Sequence, residues 1–260
     1  MSRVFCFTVD DNIRVFKDLT EGEYGSLFDH PYLAMYRRLH QKHGLCVQLN
    51  LFFQGKEFTL ADMTDRYREE WRENADWLKL SFHSKLENVR PYEASGYDEV
   101  YTDCADVQRE ILRFASSENL GKTTTIHFCE ATDEGLRALY DHKVKGLLGL
   151  YDEKRNSYQS SLEDRARMIK GEVVEDRGIA YAAIDIVLNN FTREQILEQL
   201  GGLVGRDQIR VMIHEQFFYP DYPRHQQDFE QKLDATFSFL RENGYVSDFF
   251  ENMIHLGGIS

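Results

Sequence analysis

The chain has 260 residues, with 31 lysines and arginines against 44 aspartates and glutamates, for a net charge of −13. With 42% apolar residues it can bury a full core, which excludes a disordered chain and fits one barrel-sized domain spanning 1–260. The acidic balance argues against nucleic acid as a partner, because phosphate binding needs a surplus of Lys and Arg on one face.

The first strand is expected near Val4–Val9, and it meets Asp10 and Asp11 too soon for a secretory apolar segment. Further strands are expected near Leu45–Phe53, Trp77–His83, Thr123–Cys129, Val144–Leu150, Ile179–Leu188 and Ile209–His214, each a short β-branched and aromatic run bounded by polar or glycine-containing stretches. Between them Val107, Ile111 and Phe114 repeat with helical period, as do Phe229, Leu233, Phe237 and Leu240. Thr192 followed by Gln195 fits a capping box, and Thr132 suits another helix N-cap. Glu21–Asp29 and Asp152–Glu163 read as long surface loops. Alternating β and α elements imply a parallel sheet, either doubly wound or closed as a barrel.

Cys6, Cys46, Cys104 and Cys129 are widely spaced and read as reduced thiols, the usage of an intracellular protein. No uncharged apolar run approaches the roughly 18 residues that would span a bilayer. The expectation is a soluble cytoplasmic protein with no membrane partner, its oligomeric state left open.

In parallel α/β folds functional groups collect where strands end. Here those ends carry Asp10-Asp11, His83, His127 with Glu130 just beyond, and His214-Glu215. Adjacent carboxylates at a strand end point in different directions, so one can bind a cation while the other accepts a proton. His83 can be an imidazole ligand, with Glu87 joining it if a helical turn follows. Imidazole titrates near neutrality, which suits His214 to the role of general acid. Each residue also has an ordinary structural reading: a solvated turn for the Asp pair, hydrogen-bonded core positions for the histidines, a small buried hydrophobe for Cys129. The tract Phe217-Phe218-Tyr219-Pro220-Asp221-Tyr222 reads as either a sugar-stacking wall or a packed loop. No phosphate-cradling loop and no GxSxG elbow is present, which removes nucleotide-dependent and serine-hydrolase chemistry.

In chain order, Phe7-Thr8-Val9-Asp10-Asp11, Ser81-Phe82-His83-Ser84 and Met212-Ile213-His214-Glu215 resemble the first, second and last motifs of the polysaccharide deacetylase superfamily (NodB homology, carbohydrate esterase family 4). The resemblance implies a distorted (β/α)7 barrel, an α/β fold, with Asp10 as catalytic base, Asp11 as metal ligand and His214 as catalytic acid. It also implies a divalent metal, zinc the first candidate, held by Asp11 and His83 with Glu87 or His127 as further ligand. The family's second motif carries two histidines four apart, and here the second position holds Glu87. Its third motif has no counterpart, since Arg90-Pro91-Tyr92 comes too early, and its fourth leaves only Asp185 on a suitable strand. Glu130, Asp185, Glu215 and Tyr219 complete the expected site as substrate contacts. The implied activity is metal-dependent hydrolysis of an amide, removing acetyl from an N-acetylated sugar or related small molecule. A saccharide-binding barrel without catalysis, or another carbohydrate-active enzyme such as a glycoside hydrolase, is the alternative.

Overall fold

The computed structural model describes residues 3–254 apart from 88, 90, 91 and 153. In chain order its elements are β1 (Arg3–Asn12), α1 (Arg14–Glu21), α2 (Pro31–His43), β2 (Val47–Gln54), α3 (Arg68–Glu73), β3 (Leu78–Leu86), α4 (Tyr97–Phe114), β4 (Thr123–Thr124) and α5 (Asp133–Asp141). There follow β5 (Gly146–Gly149), α6 (Leu162–Ile169), β6 (Val174–Asp176), β7 (Ile179–Ala183), β8 (Ile186–Val187), α7 (Arg193–Leu203), β9 (Gln208–His214), α8 (Phe229–Glu242), β10 (Tyr245–Ser247) and α9 (Phe250–Met253). Each expected strand has a counterpart, although the one expected near Ile179–Leu188 is divided into β7 and β8 in different sheets, and the short β6 and β10 are additional.

One sheet runs β3-β2-β1-β9-β8, with β10 also pairing β1, and the other runs β4-β5-β7-β6. All pairings are parallel except that of β6 with β7. The sheets meet on both margins: Leu80 of β3 bridges Leu120 just before β4, and beyond β7 the Asp185 N–H donates to the Arg210 carbonyl of β9. The strands thus wrap into the distorted (β/α)7-type barrel expected from the sequence.

Helix starts follow local chemistry. Thr132 and Thr192 each accept a backbone N–H at the head of α5 and α7, and Gln195 completes the capping box. Val107, Ile111 and Phe114 of α4 and Leu233, Phe237 and Leu240 of α8 are fully buried against the sheet. Along β1 the alternation sorts two environments: Phe5, Phe7 and Val9 join the large core beneath the helices, while Val4 and Cys6 join a smaller cluster with Leu148, Met212 and Met253. The next residues on that inner face, Thr8 and Asp10, are polar and buried. The barrel interior is therefore apolar at its amino end and polar at its carboxyl end.

All four cysteines are free, and burial pushes the Cys6 and Cys129 thiols up to about 12, which makes them packing groups. Among the described residues no helix is long and apolar enough to cross a membrane.

Candidate functional site

Two β-bulges aim the first two groups. Between Val9 and Asn12, β1 has one residue more than β2, and there Asp11 takes φ 66°, a left-handed conformation that aspartate tolerates better than most residues. On β3, Phe82 pairs Leu51 and Ser84 pairs Phe52, so His83 is the extra residue. A bulge re-aims a side chain, and these bring Asp11 Oδ1 to 3.1 Å from His83 Nε2. The third group comes from a strand that stops short. β4 ends at Thr124, and the following turn holds Phe128 and Cys129 at φ 60° and 57°. That turn places His127 Nδ1 3.1 Å from His83 Nε2 and 3.4 Å from Asp11 Oδ1. Phe52 packs edge-on against both imidazoles, with ring centroids 5.1 and 4.8 Å away, which limits their rotation.

The donor pattern around these groups is informative. His83 Nδ1 lies against the Thr125 carbonyl, which can only accept, so Nδ1 carries the proton and Nε2 faces inward. Gln216 Nε2 donates to Asp11 Oδ2 at 2.9 Å, which leaves Oδ1 facing the imidazoles. Two acceptor atoms and His127 Nδ1 therefore converge at 3.1, 3.1 and 3.4 Å, an arrangement that either the His127 proton or a cation satisfies. Tetrahedral bonds of about 2.0–2.1 Å place ligand atoms about 3.3 Å apart, so the triangle fits one divalent ion. Two imidazoles and one carboxylate suit zinc and other borderline divalent metals, and three protein ligands leave a coordination position open. Burial opposes a charge on Asp11, yet the bonds to His127 and His83 outweigh it and hold this carboxyl well below its usual range. His83 is likewise raised despite burial, by Asp10 and Asp11. His127, where burial dominates, is lowered, so this cluster takes up one proton more readily than two.

Asp10 is buried beside this cluster. Its Oδ1 accepts from Asn50 Nδ2 at 2.7 Å, and Gln48 Nε2 in turn supports Asn50 Oδ1 at 2.9 Å. Burial raises the Asp10 carboxyl above its usual range, and the charges of His83 and His214 pull it back. His214 pairs in register with Asp10 on the neighbouring strand. Its Nδ1 lies 2.8 Å from Asn189 Oδ1, so Nδ1–H donates and Nε2 is left for proton transfer.

Other expected site residues are placed elsewhere. β3 stays extended through Leu86, so no helical turn returns Glu87 to His83. Four extended residues carry it about 13 Å along the chain, and it is not part of the ligand cluster. Glu215 is buried and caps α1: Oε2 accepts from the Ile13 and Arg14 N–H groups at 2.8 and 3.0 Å, and Oε1 from Val15 at 2.8 Å. It is a helix N-terminal cap, its two oxygens already occupied by these donors rather than offered to a substrate. Asp185 is also a structural group, 2.6 Å from Arg206 Nη1 and accepting the Arg210 N–H at 2.8 Å. Tyr219 lies under the Arg14 guanidinium, its hydroxyl 3.4 Å from Glu215 Oε1. Glu130 follows the His127 turn in extended conformation, half-buried. Arg90 and Pro91 lie outside the described residues.

Sequence reasoning missed the neutral amides that position the charged groups: Asn50, Gln216 and Asn189. For Asn50 a signal exists, since Gln48 and Asn50 place polar side chains at alternate positions of an otherwise apolar strand. Asn189 and Gln216 stand in short 3₁₀ turns after β8 and β9 and carry none.

Solved structures share this fold. A family 4 acetyl xylan esterase from Clostridium thermocellum superposes with TM-score 0.54 at 13% identity, over 99% of this chain and 93% of its own. A peptidoglycan N-acetylglucosamine deacetylase gives 0.50 at 10%, over 96% and 87%. The 4-alpha-glucanotransferase from Thermococcus litoralis gives 0.61 at 14%, over 97% of this chain but 40% of its own. By sequence the chain matches no family model and no curated protein, so the likeness is one of fold.

Proposed function

We propose that this protein is a metal-dependent hydrolase of carbon–nitrogen bonds that removes an acetyl group from an N-acetylated sugar or related small amide. The observation that carries the reading is the convergence of Asp11 Oδ1, His83 Nε2 and His127 Nδ1 at one end of the barrel, flanked by Asp10 and His214. A divalent ion held by those three atoms would polarise a carbonyl and make water more acidic. Asp10, held by Asn50, takes the proton of the attacking water. His214, carrying a second proton on Nε2 as the imidazolium, gives it to the departing amine while the water's proton stays on Asp10, a step an amide requires because its unprotonated nitrogen leaves poorly. Acyl transfer is preferred to glycosidic cleavage because Asp10 is set beside His214 and Asn50, with the neighbouring Asp11 turned onto the imidazole cluster, where a glycosidase sets a second carboxyl group across the cleft. The two acetyl-removing proteins of like fold support the choice of acyl group.

The test is acetate release from a panel of N-acetylated sugars with added zinc. Asp10→Asn and His214→Ala should keep fold and metal while the rate falls by about 10²–10⁴-fold. Saccharide binding without acetate release from the wild type would favour the binding barrel. Release that survives in both variants would discard the assigned base and acid.

A further inference from the structure

Behind His214 lies a chain of polar contacts that neither metal binding nor the barrel requires. Asn189 sits in the 3₁₀ turn Leu188–Asn190 that follows β8, and its side-chain oxygen receives the His214 Nδ1–H. Its own carbonyl accepts Gln226 Nε2 at 2.7 Å, and Gln226 Oε1 accepts Lys232 Nζ at 3.0 Å. Lys232 belongs to α8 and is only 5% exposed. A buried ammonium is expensive and persists where it is hydrogen-bonded and paired. Here its partners are the Gln226 amide and, at 3.6 Å, Asp228. Gln226 is itself fixed, because its N–H donates to the Phe217 carbonyl at 2.9 Å and its carbonyl accepts the Phe229 N–H at 3.0 Å.

We infer that Lys232, Gln226 and Asn189 are positioning residues that lock the His214 ring with Nδ1 protonated and Nε2 facing the reacting atoms. The inference rests on the proposed role of His214 as general acid. An ammonium can only donate, so it turns the Gln226 oxygen toward itself and the NH₂ toward Asn189. Asn189 is then held by its backbone as well as its side chain. Because this partner is a neutral amide, it orients the imidazole without the stabilisation of positive charge that a carboxylate gives. Mis-set general-acid geometry affects chemistry rather than binding.

The test compares two substrates of different leaving group on the metal-loaded protein: an N-acetylated sugar, whose amine must be protonated, and 4-nitrophenyl acetate, whose phenolate leaves unaided. Lys232→Met and Gln226→Leu should lower kcat for the amide about 10-fold or more and Asn189→Leu about 100-fold, with KM, metal content and ester rate unchanged. Equal loss on both substrates, or no loss on the amide, overturns the inference. If the wild type cleaves neither substrate, the deacetylase reading fails instead, and nitrogen NMR of the His214 ring decides the positioning. With the ring neutral, one Nδ1–H tautomer in the wild type and a mixture in Lys232→Met supports the inference, and identical spectra refute it.

Discussion

Replacing Glu215 with alanine separates its structural role from the substrate contact suggested by sequence. The carboxylate supplies acceptors for three consecutive N–H groups at the head of α1, the segment directly following Asp10 and Asp11. Each buried donor left without a partner costs about 1–3 kcal/mol, so the loss at pH 8 should be about 3 kcal/mol or more. For a domain of this size that lowers Tm by about 6–12 °C. The effect should also depend on pH. Burial raises the Glu215 carboxyl to about 7 against the three N–H bonds that lower it. A carboxyl whose folded pKa lies above its unfolded value of about 4.5 adds stability that is fully present below the unfolded pKa and lost as pH rises through 7. Between pH 5.5 and pH 8 the wild type should therefore lose about 2 kcal/mol that Glu215→Ala does not, so the gap between them is wider at pH 5.5. Urea unfolding of both proteins at the two pH values reads this directly. A loss under about 1 kcal/mol at both, together with a raised KM, would refute the capping argument and restore Glu215 to the substrate.

Asp185→Ala should destabilise by about 3–5 kcal/mol in denaturant, because it leaves the fully buried Arg210 and its neighbour Arg206 without their shared carboxylate. Metal content and the KM of the surviving fold should not change, and a KM effect alone would return Asp185 to the site. Gly121→Ala should cost about 1–3 kcal/mol, since an added Cβ there meets Ser81 Oγ and comes within 3.1 Å of Gln48 Oε1. A wild-type melting curve would show that this part of the barrel interior is less tightly packed. Asn50→Leu should depress amide turnover while preserving metal, because Asp10 loses the hydrogen bond that orients its Oδ1. Turnover at the wild-type rate would show that Asp10 needs no such support.

The barrel was legible because most strands are short apolar runs, α4 and α8 carry a helical period, and α5 and α7 carry side-chain caps, as in Thr192–Gln195 ahead of α7. Asp11, His83, His127 and His214 were legible as titratable residues at strand ends. Between Glu87 and His127 as further ligand, the helical turn that Glu87 needed after His83 does not form, because β3 stays paired with β2 as far as Leu86 and Gln54. The fourth strand was read too long, since nothing local announces that Phe128 and Cys129 turn left-handed. The structural partners of Glu215 and Asp185 were not legible because the head of α1 and the arginines of the β9 region become their neighbours only in the fold. A carboxylate beside a catalytic motif looks the same in sequence whether it faces substrate or a helix terminus.

The central claim is that Asp11, His83 and His127 together hold one divalent ion. Elemental analysis of protein loaded with zinc and freed of excess, with anomalous scattering to locate the ion, tests it in one series of variants. One ion per chain is expected within about 2.0–2.2 Å of all three atoms, lost in Asp11→Ala, His83→Ala and His127→Ala and kept in Glu87→Ala. An ion that survives His127→Ala but leaves with Glu87→Ala, or a wild type that binds none, would contradict it.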